Sequence, residues 1–131
     1  MAWEIEIKPQ AEQWLTSLGG AERQRVGATL DRLSQVGPTL GTPWVKSIKG
    51  SRHHNMKELR QGNQRALFAF DPQRRAVVLL GGDKTGEWNK WYERSIPAAD
   101  RMYDQHLRGR GGGGTLWQTG RAGAKSASSS R

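Results

Sequence analysis

Apolar and polar positions alternate at the start of the chain, with Trp3, Ile5 and Ile7 set against Glu4, Glu6 and Lys8. A period of two predicts a half-buried strand. Pro9 ends it; the ring-locked φ and missing N–H of proline suit the first turn of a helix. The spacing then becomes helical. Ala11, Trp14, Leu15 and Leu18 share one face until Gly19-Gly20 stops the run. A second helix is predicted from Ala21 to Val36 on the stripe Val26, Leu30 and Leu33, and Gly37-Pro38 ends it. Together the two make a helical hairpin.

Past the loop PTLGTP (38–43) the period returns to two. Trp44-Val45 with Ile48 predicts a short edge piece, and MKELR (56–60) a strand. Gln61-Gly62-Asn63 reads as a turn, RALFAF (65–70) as a strand, Asp71-Pro72-Gln73-Arg74 as a turn, and AVVLL (76–80) as a central strand. Gly81-Gly82 ends that strand. A helical region follows on Trp88, Trp91, Tyr92, Met102, Tyr103 and Leu107, broken or restarted at Pro97. This order predicts an α+β domain over residues 1–107. An N-terminal strand and helical hairpin pack on a small, mainly antiparallel sheet, and a C-terminal helix closes the chain. Helices grouped on one side leave the opposite sheet face open. That face is expected to carry Lys57, Arg60 or Arg65, according to register.

Composition adds a boundary. From Gly109 the text runs GRGGGGTLWQTGRAGAKSASSSR, with Leu116 and Trp117 as its only large apolar residues. So little burial does not offset the entropy of ordering, and residues 108–131 are expected to form a disordered basic tail. The net charge of +9 is unevenly placed. Residues 46–75 hold eight cations against Glu58 and Asp71, and the tail holds five with no acid. Such a balance suits a polyanionic partner. With no cysteine, disulfide scaffolds and thiolate metal sites are excluded. No apolar run approaches the length of a membrane span, and MAWEIEIK lacks the apolar run of a signal peptide, so a cytoplasmic protein with no membrane partner is expected.

The ordered series MKELR (56–60), Gly62, Arg65, FAFDPQRRAVVLLGGDKTG (68–86), WNKWYERSIPAAD (88–100) and MYDQHL (102–107) resembles the RelE/ParE superfamily of bacterial toxins, and within it the HigB-like, phage-related branch. The similarity is densest over residues 44–107. It implies a toxin of a type II toxin-antitoxin system that cleaves mRNA on the translating ribosome and is neutralised by a helix-turn-helix antitoxin. It implies no cofactor. The sister ParE branch poisons DNA gyrase on the same fold, so fold does not settle function. A ParE-like gyrase inhibitor and a nontoxic RNA-binding relic stand as the alternatives.

Metal-independent RNA cleavage uses the 2′-hydroxyl as nucleophile. It needs a base, cations for the pentavalent phosphate and an acid for the leaving 5′-oxygen. Arg65 stands where the family places a catalytic or phosphate-binding arginine. Arg60 lies across the Gln61–Gln64 turn from it, and two guanidiniums held together repel unless an anion bridges them. Lys84, in GGDKTG, matches the family's C-terminal basic position, and Tyr92 is the aromatic candidate. Lys46, Lys49, Arg52, His54 and Lys57 are candidates for RNA backbone contact. His53 and His54 form a loop pair without the acid that a zinc site needs, so no metal site is predicted. Glu58 departs from the lysine-rich strand of the RelE branch. It could act as a base or simply pair with Arg60.

Overall fold

The computed structural model describes residues 2–86, 88–109 and 113–121. Six strands, β1 (Glu4–Ile7), β2 (Val45–Ser47), β3 (Met56–Gln61), β4 (Gln64–Phe70), β5 (Arg75–Asp83) and β6 (Thr115–Leu116), form one sheet in the order β2-β3-β4-β5-β1-β6. Three helices, α1 (Pro9–Ser17), α2 (Gly20–Val36) and α3 (Trp88–Leu107), pack against it. The sheet is mixed: β1 runs parallel to β5, and the other pairings are antiparallel. The α+β architecture is the one expected. The parallel pairing follows from the helical hairpin, which carries the chain from β1 back across the sheet before the strands resume.

The helices do not share a face. Ile5, Ile7, Leu59, Phe68 and Val78 pack with the buried stripe of α1 and α2. Met56, Leu67, Val77 and Leu79 pack with Trp91, Ile96 and Tyr103 of α3. The sheet is therefore covered on both sides, which corrects the expectation of an open face. Strands β4 and β5 are buried along most of their length, as a central pair covered on both sides must be. Helix α3 also runs unbroken through Pro97. Pro97 is exposed, so the carbonyl it leaves unbonded one turn back, on exposed Glu93, can meet solvent.

The tail differs from expectation as well. Thr115–Leu116 pairs with β1, and Trp117, only 8% exposed, joins the core beneath α1 and α2. The Trp117 backbone N–H donates to the Ile5 carbonyl at 2.8 Å, and its indole N–H donates to Asp31 of α2 at 2.8 Å. The Arg121 guanidinium lies 4.9 Å above the indole ring and pairs with Glu12 of α1. This segment needs no core of its own because its one large aromatic enters a core that already exists. The expected disorder of residues 110–112 and 122–131 lies outside the described residues.

Candidate active site

Strands β3 and β4 join through Gly62-Asn63, where Gly62 takes φ +61°, a value that favours glycine. This tight turn fixes the register, and Arg60 pairs directly with Arg65. Alternation then places Glu58, two residues before Arg60, on the same face. Its carboxylate reaches both cations: Oε1 lies 3.7 Å from Arg60 Nε and Oε2 lies 3.7 Å from Arg65 Nε. Glu58 is buried and also accepts a hydrogen bond from the Tyr92 hydroxyl of α3. Arg65 is 4% exposed, and its Nη1 donates to the turn carbonyls of Gly62 (2.6 Å) and Gln64 (2.9 Å). The carbonyls hold the guanidinium in place. Arg60 Nε and Arg65 Nε are buried without a hydrogen-bond partner among the described residues.

The next strand completes the group. Gly82 pairs with Arg65, and Lys84 follows two residues on, 2% exposed, its backbone N–H bonded to Asn63. Burial lowers the Lys84 pKa from its usual value, and the like charges of Arg65 and Arg60 lower it further, against an opposing pull from Glu58. Burial raises the Tyr92 pKa and the bond to Glu58 adds to the rise, while Arg65 acts the other way. Gly82 also admits the floor of the site: a Cβ there would stand 2.4 Å from Trp91 Nε1. Trp91 in turn meets Tyr92 edge to face at 5.1 Å. Among the described residues the cluster holds three cations around one carboxylate, an arrangement that draws in an anion. A cleft of about 360 Å³ lined by Pro43, Trp44, Gln61 and Gly62 opens beside the two arginines.

The structure thus brings Arg60, Arg65, Lys84 and Tyr92 together, with Glu58 as the hub. The alternation 56, 58, 60 was the signal for that hub. The remaining basic candidates disperse. Lys46 pairs with Glu58 across β2 and β3, so it shares the site's face at the rim. Lys57 falls on the opposite face, 3.4 Å from Ser47. Lys49, Arg52 and His54 sit on the loop between β2 and β3, and this loop packs on the later turns of α3. There Ser51 and the Arg52 backbone N–H bond Asp100, and the Arg52 and His53 side chains pair with Asp104. His54 is exposed. The side chain of Trp88 lies outside the described set. The described residues contain no group of three or more His, Asp or Glu placed to hold a metal, and no helix long and apolar enough to cross a membrane.

The fold is that of the RelE-type toxins. It matches a chain of the archaeal RelE-RelB complex from Pyrococcus horikoshii OT3 with a TM-score of 0.55 at 20% identity, over 66% of this chain and 99% of that one. It matches a chain of the toxin-antitoxin complex RelBE2 of Mycobacterium tuberculosis with a TM-score of 0.51 at 18% identity, over 63% and 99%. Sequence comparison is narrower. The family described as "Phage derived protein Gp49-like" matches residues 13–104. Over 112 residues the chain is 46% identical to "Putative toxin HigB3" of M. tuberculosis H37Rv, covering 84% of this chain and 98% of that protein. It is 43% identical to "Putative toxin HigB2" of the same organism, covering 82% of this chain and 55% of that protein. The chain belongs to this Gp49-like family and is a HigB-like toxin.

Proposed function

We propose that this toxin is a ribosome-dependent mRNA endonuclease and that its active centre is the Glu58–Arg60–Arg65–Lys84–Tyr92 cluster. The observation that carries the reading is the pair of buried guanidinium Nε–H groups, on Arg60 and Arg65, that lack a hydrogen-bond partner among the described residues. Buried donors of this kind are costly unless a ligand takes them up, and a phosphodiester offers the matching pair of oxygens. In the proposed reaction Glu58 takes the proton of the 2′-hydroxyl. The O2′–P bond forms, the P–O5′ bond breaks, and Lys84 protonates the leaving 5′-oxygen. Arg60 and Arg65 hold the non-bridging oxygens. The products are a 2′,3′-cyclic phosphate and a 5′-hydroxyl. A lowered lysine pKa suits the acid role, because the ammonium gives up its proton more readily. Tyr92 orients the Glu58 carboxylate. All the cations in this scheme are the chain's own side chains.

The resemblance to RelE-RelB and RelBE2 complexes supports an antitoxin as partner, here a helix-turn-helix protein that covers the cluster with acidic side chains. The test is expression without antitoxin, with primer extension on cellular mRNA. New 5′ ends within codons and arrested growth are expected. Arg65→Ala together with Lys84→Ala should abolish both, since one lost charge-stabilising donor alone costs ~10²–10³ in rate. Full arrest by the double variant overturns the site. Arrest with DNA damage and no new RNA ends overturns the reaction in favour of gyrase poisoning.

A further inference from the structure

Helix α3 buries Trp91, Ser95, Ile96, Ala99 and Tyr103 on one side. At 3.6 residues per turn, Lys90, Arg94, Arg101 and Arg108 fall within an arc of about 40° on the side directly opposite. All four are exposed. At 1.5 Å per residue they run about 27 Å from the end of the helix nearest Tyr92 to just past Leu107. Solvated helices usually mix signs at i, i+4 spacing, because opposite charges there stabilise the helix. Here the outermost positions of the row carry one sign, with Pro97, Asp104 and Gln105 between them. Glu93, at the edge of the arc, is the one fully exposed acid on α3 among the described residues. Asp104, which also borders the arc, is paired with Arg52 and His53 of the packed loop.

We infer that this face of α3 is a track for the phosphate backbone of an RNA strand that continues beyond the cleavage centre. The inference deepens the function proposed above and takes its choice of RNA from it. Two features favour a phosphodiester chain. The row begins in the first turn of α3, on the side of the helix away from Tyr92, so a strand whose scissile phosphate sits on Arg60 and Arg65 reaches the track by rounding that end of the helix. A polymer with one charge per nucleotide also matches a row of cations spread along the helix, whatever its sequence. The track would thus supply sequence-independent affinity, while the cluster supplies the chemistry.

The test uses the full chain and 2′-O-methyl RNA, which lacks the nucleophile and cannot be cut. Lys90→Gln, Arg101→Gln and Arg108→Gln are combined; glutamine keeps helix propensity at exposed positions. With circular dichroism and Tm matching the parent, the variant should bind a 20-mer at least about tenfold more weakly in low salt. Its slope of log affinity against log salt should be shallower by about 2, the value for three lost single-strand contacts. Binding of a 4-mer should stay the same. Unchanged 20-mer affinity and slope overturn the track, even for a protein that cuts mRNA in cells. A shallower slope in a protein that cuts nothing upholds the track and overturns the proposed reaction instead. If the variant loses only an acidic peptide of matched charge and keeps the RNA, the face is a protein-docking surface and the inference falls.

Discussion

Gly81 and Gly82 are neighbours on β5, and each gives its missing side chain to a tryptophan on an opposite side of the sheet. A Cβ at Gly81 would stand 2.3 Å from Trp14, and one at Gly82 would stand 2.4 Å from Trp91. Beneath the helical hairpin the groups that touch Trp14 form a paired chain, although Glu12 Oε1 of α1 has no partner among the described residues. The Trp14 indole N–H donates to Gln64 Oε1 at 2.8 Å, and Gln64 Nε2 donates to Asp83 at 3.2 Å. Beneath α3 the pairing is incomplete. Trp91 floors a cluster in which, among the described residues, two guanidinium donors lack hydrogen-bond partners and three cations face one carboxylate. The same backbone device seats a core tryptophan on one side and the floor of the proposed active centre on the other. A buried polar network that is fully paired rigidifies a fold, while one left partly unpaired marks the place where a ligand is expected.

The sharpest way to break this comparison is to damage the hairpin side alone. Trp117 belongs to that core and touches none of the charged cluster. Trp117→Ala is expected to cost about 3 kcal/mol in urea unfolding, the low end for a buried tryptophan. The RNA cleavage proposed above, measured per folded molecule, should be unchanged. A loss under about 1 kcal/mol would show that Trp117 adds little packing energy, and the expectation of a disordered tail would stand after all. Lost activity at full stability would show that the two faces are coupled.

The glycine pair itself gives a smaller and more specific contrast. Gly81→Ala and Gly82→Ala should each cost about 1–3 kcal/mol, because a tryptophan must shift to admit the new methyl. The first should leave cleavage per folded molecule intact. The second should lower it as well, since Trp91 moves beneath Arg65 and Tyr92. Equal losses of cleavage in both variants would erase the distinction between the faces.

Much of the hairpin face was legible in the sequence. The switch from a period of two to helical spacing, and the Gly and Pro punctuation, define β1, α1 and α2 to within a residue or two. The nearness of Arg60 and Arg65 was legible too, since a hairpin across the Gln61–Gln64 turn brings the two strand ends together, while the exact pairing came from the structure. Other features depend on partners distant in the chain. Glu58 reads as a surface acid next to an arginine until α3 brings Tyr92, 34 residues on, to bond it. Two basic residues close in sequence, Lys57 and Arg60, are parted by an odd offset, and only the register decides which of them meets Arg65. Leu116-Trp117 in a glycine-rich stretch carries no period at all. Its order comes from Asp31 and Ile5, more than 80 residues back. Pro97 signals a break from its local chemistry, yet the helix continues, with both Pro97 and Glu93, whose carbonyl it leaves unbonded, on the exposed side.

The finest contrast is in pH, where two groups of the α3 face oppose each other. The folded pKa of Lys84 lies below 10.5 because burial and the two arginines disfavour its charge. Between that folded value and 10.5 the unfolded chain keeps a proton that the folded chain has released, so stability rises with pH across this window. Tyr92 has the reverse sign. Its folded pKa lies above 10, through burial and the bond to Glu58, so the folded chain keeps its proton longer and stability falls as pH climbs past 10. Lys84→Met removes the first effect and Tyr92→Phe the second. The Tm of the Lys84→Met variant relative to the parent should therefore decline as pH is raised from 7 toward 10.5. The Tyr92→Phe variant should gain on the parent above pH 10. A gap between parent and Lys84→Met that stays constant over the whole range would show that Lys84 keeps its charge as easily as in the unfolded chain. It would then be an ordinary ammonium, without the bias toward giving up its proton that the acid role in cleavage draws on.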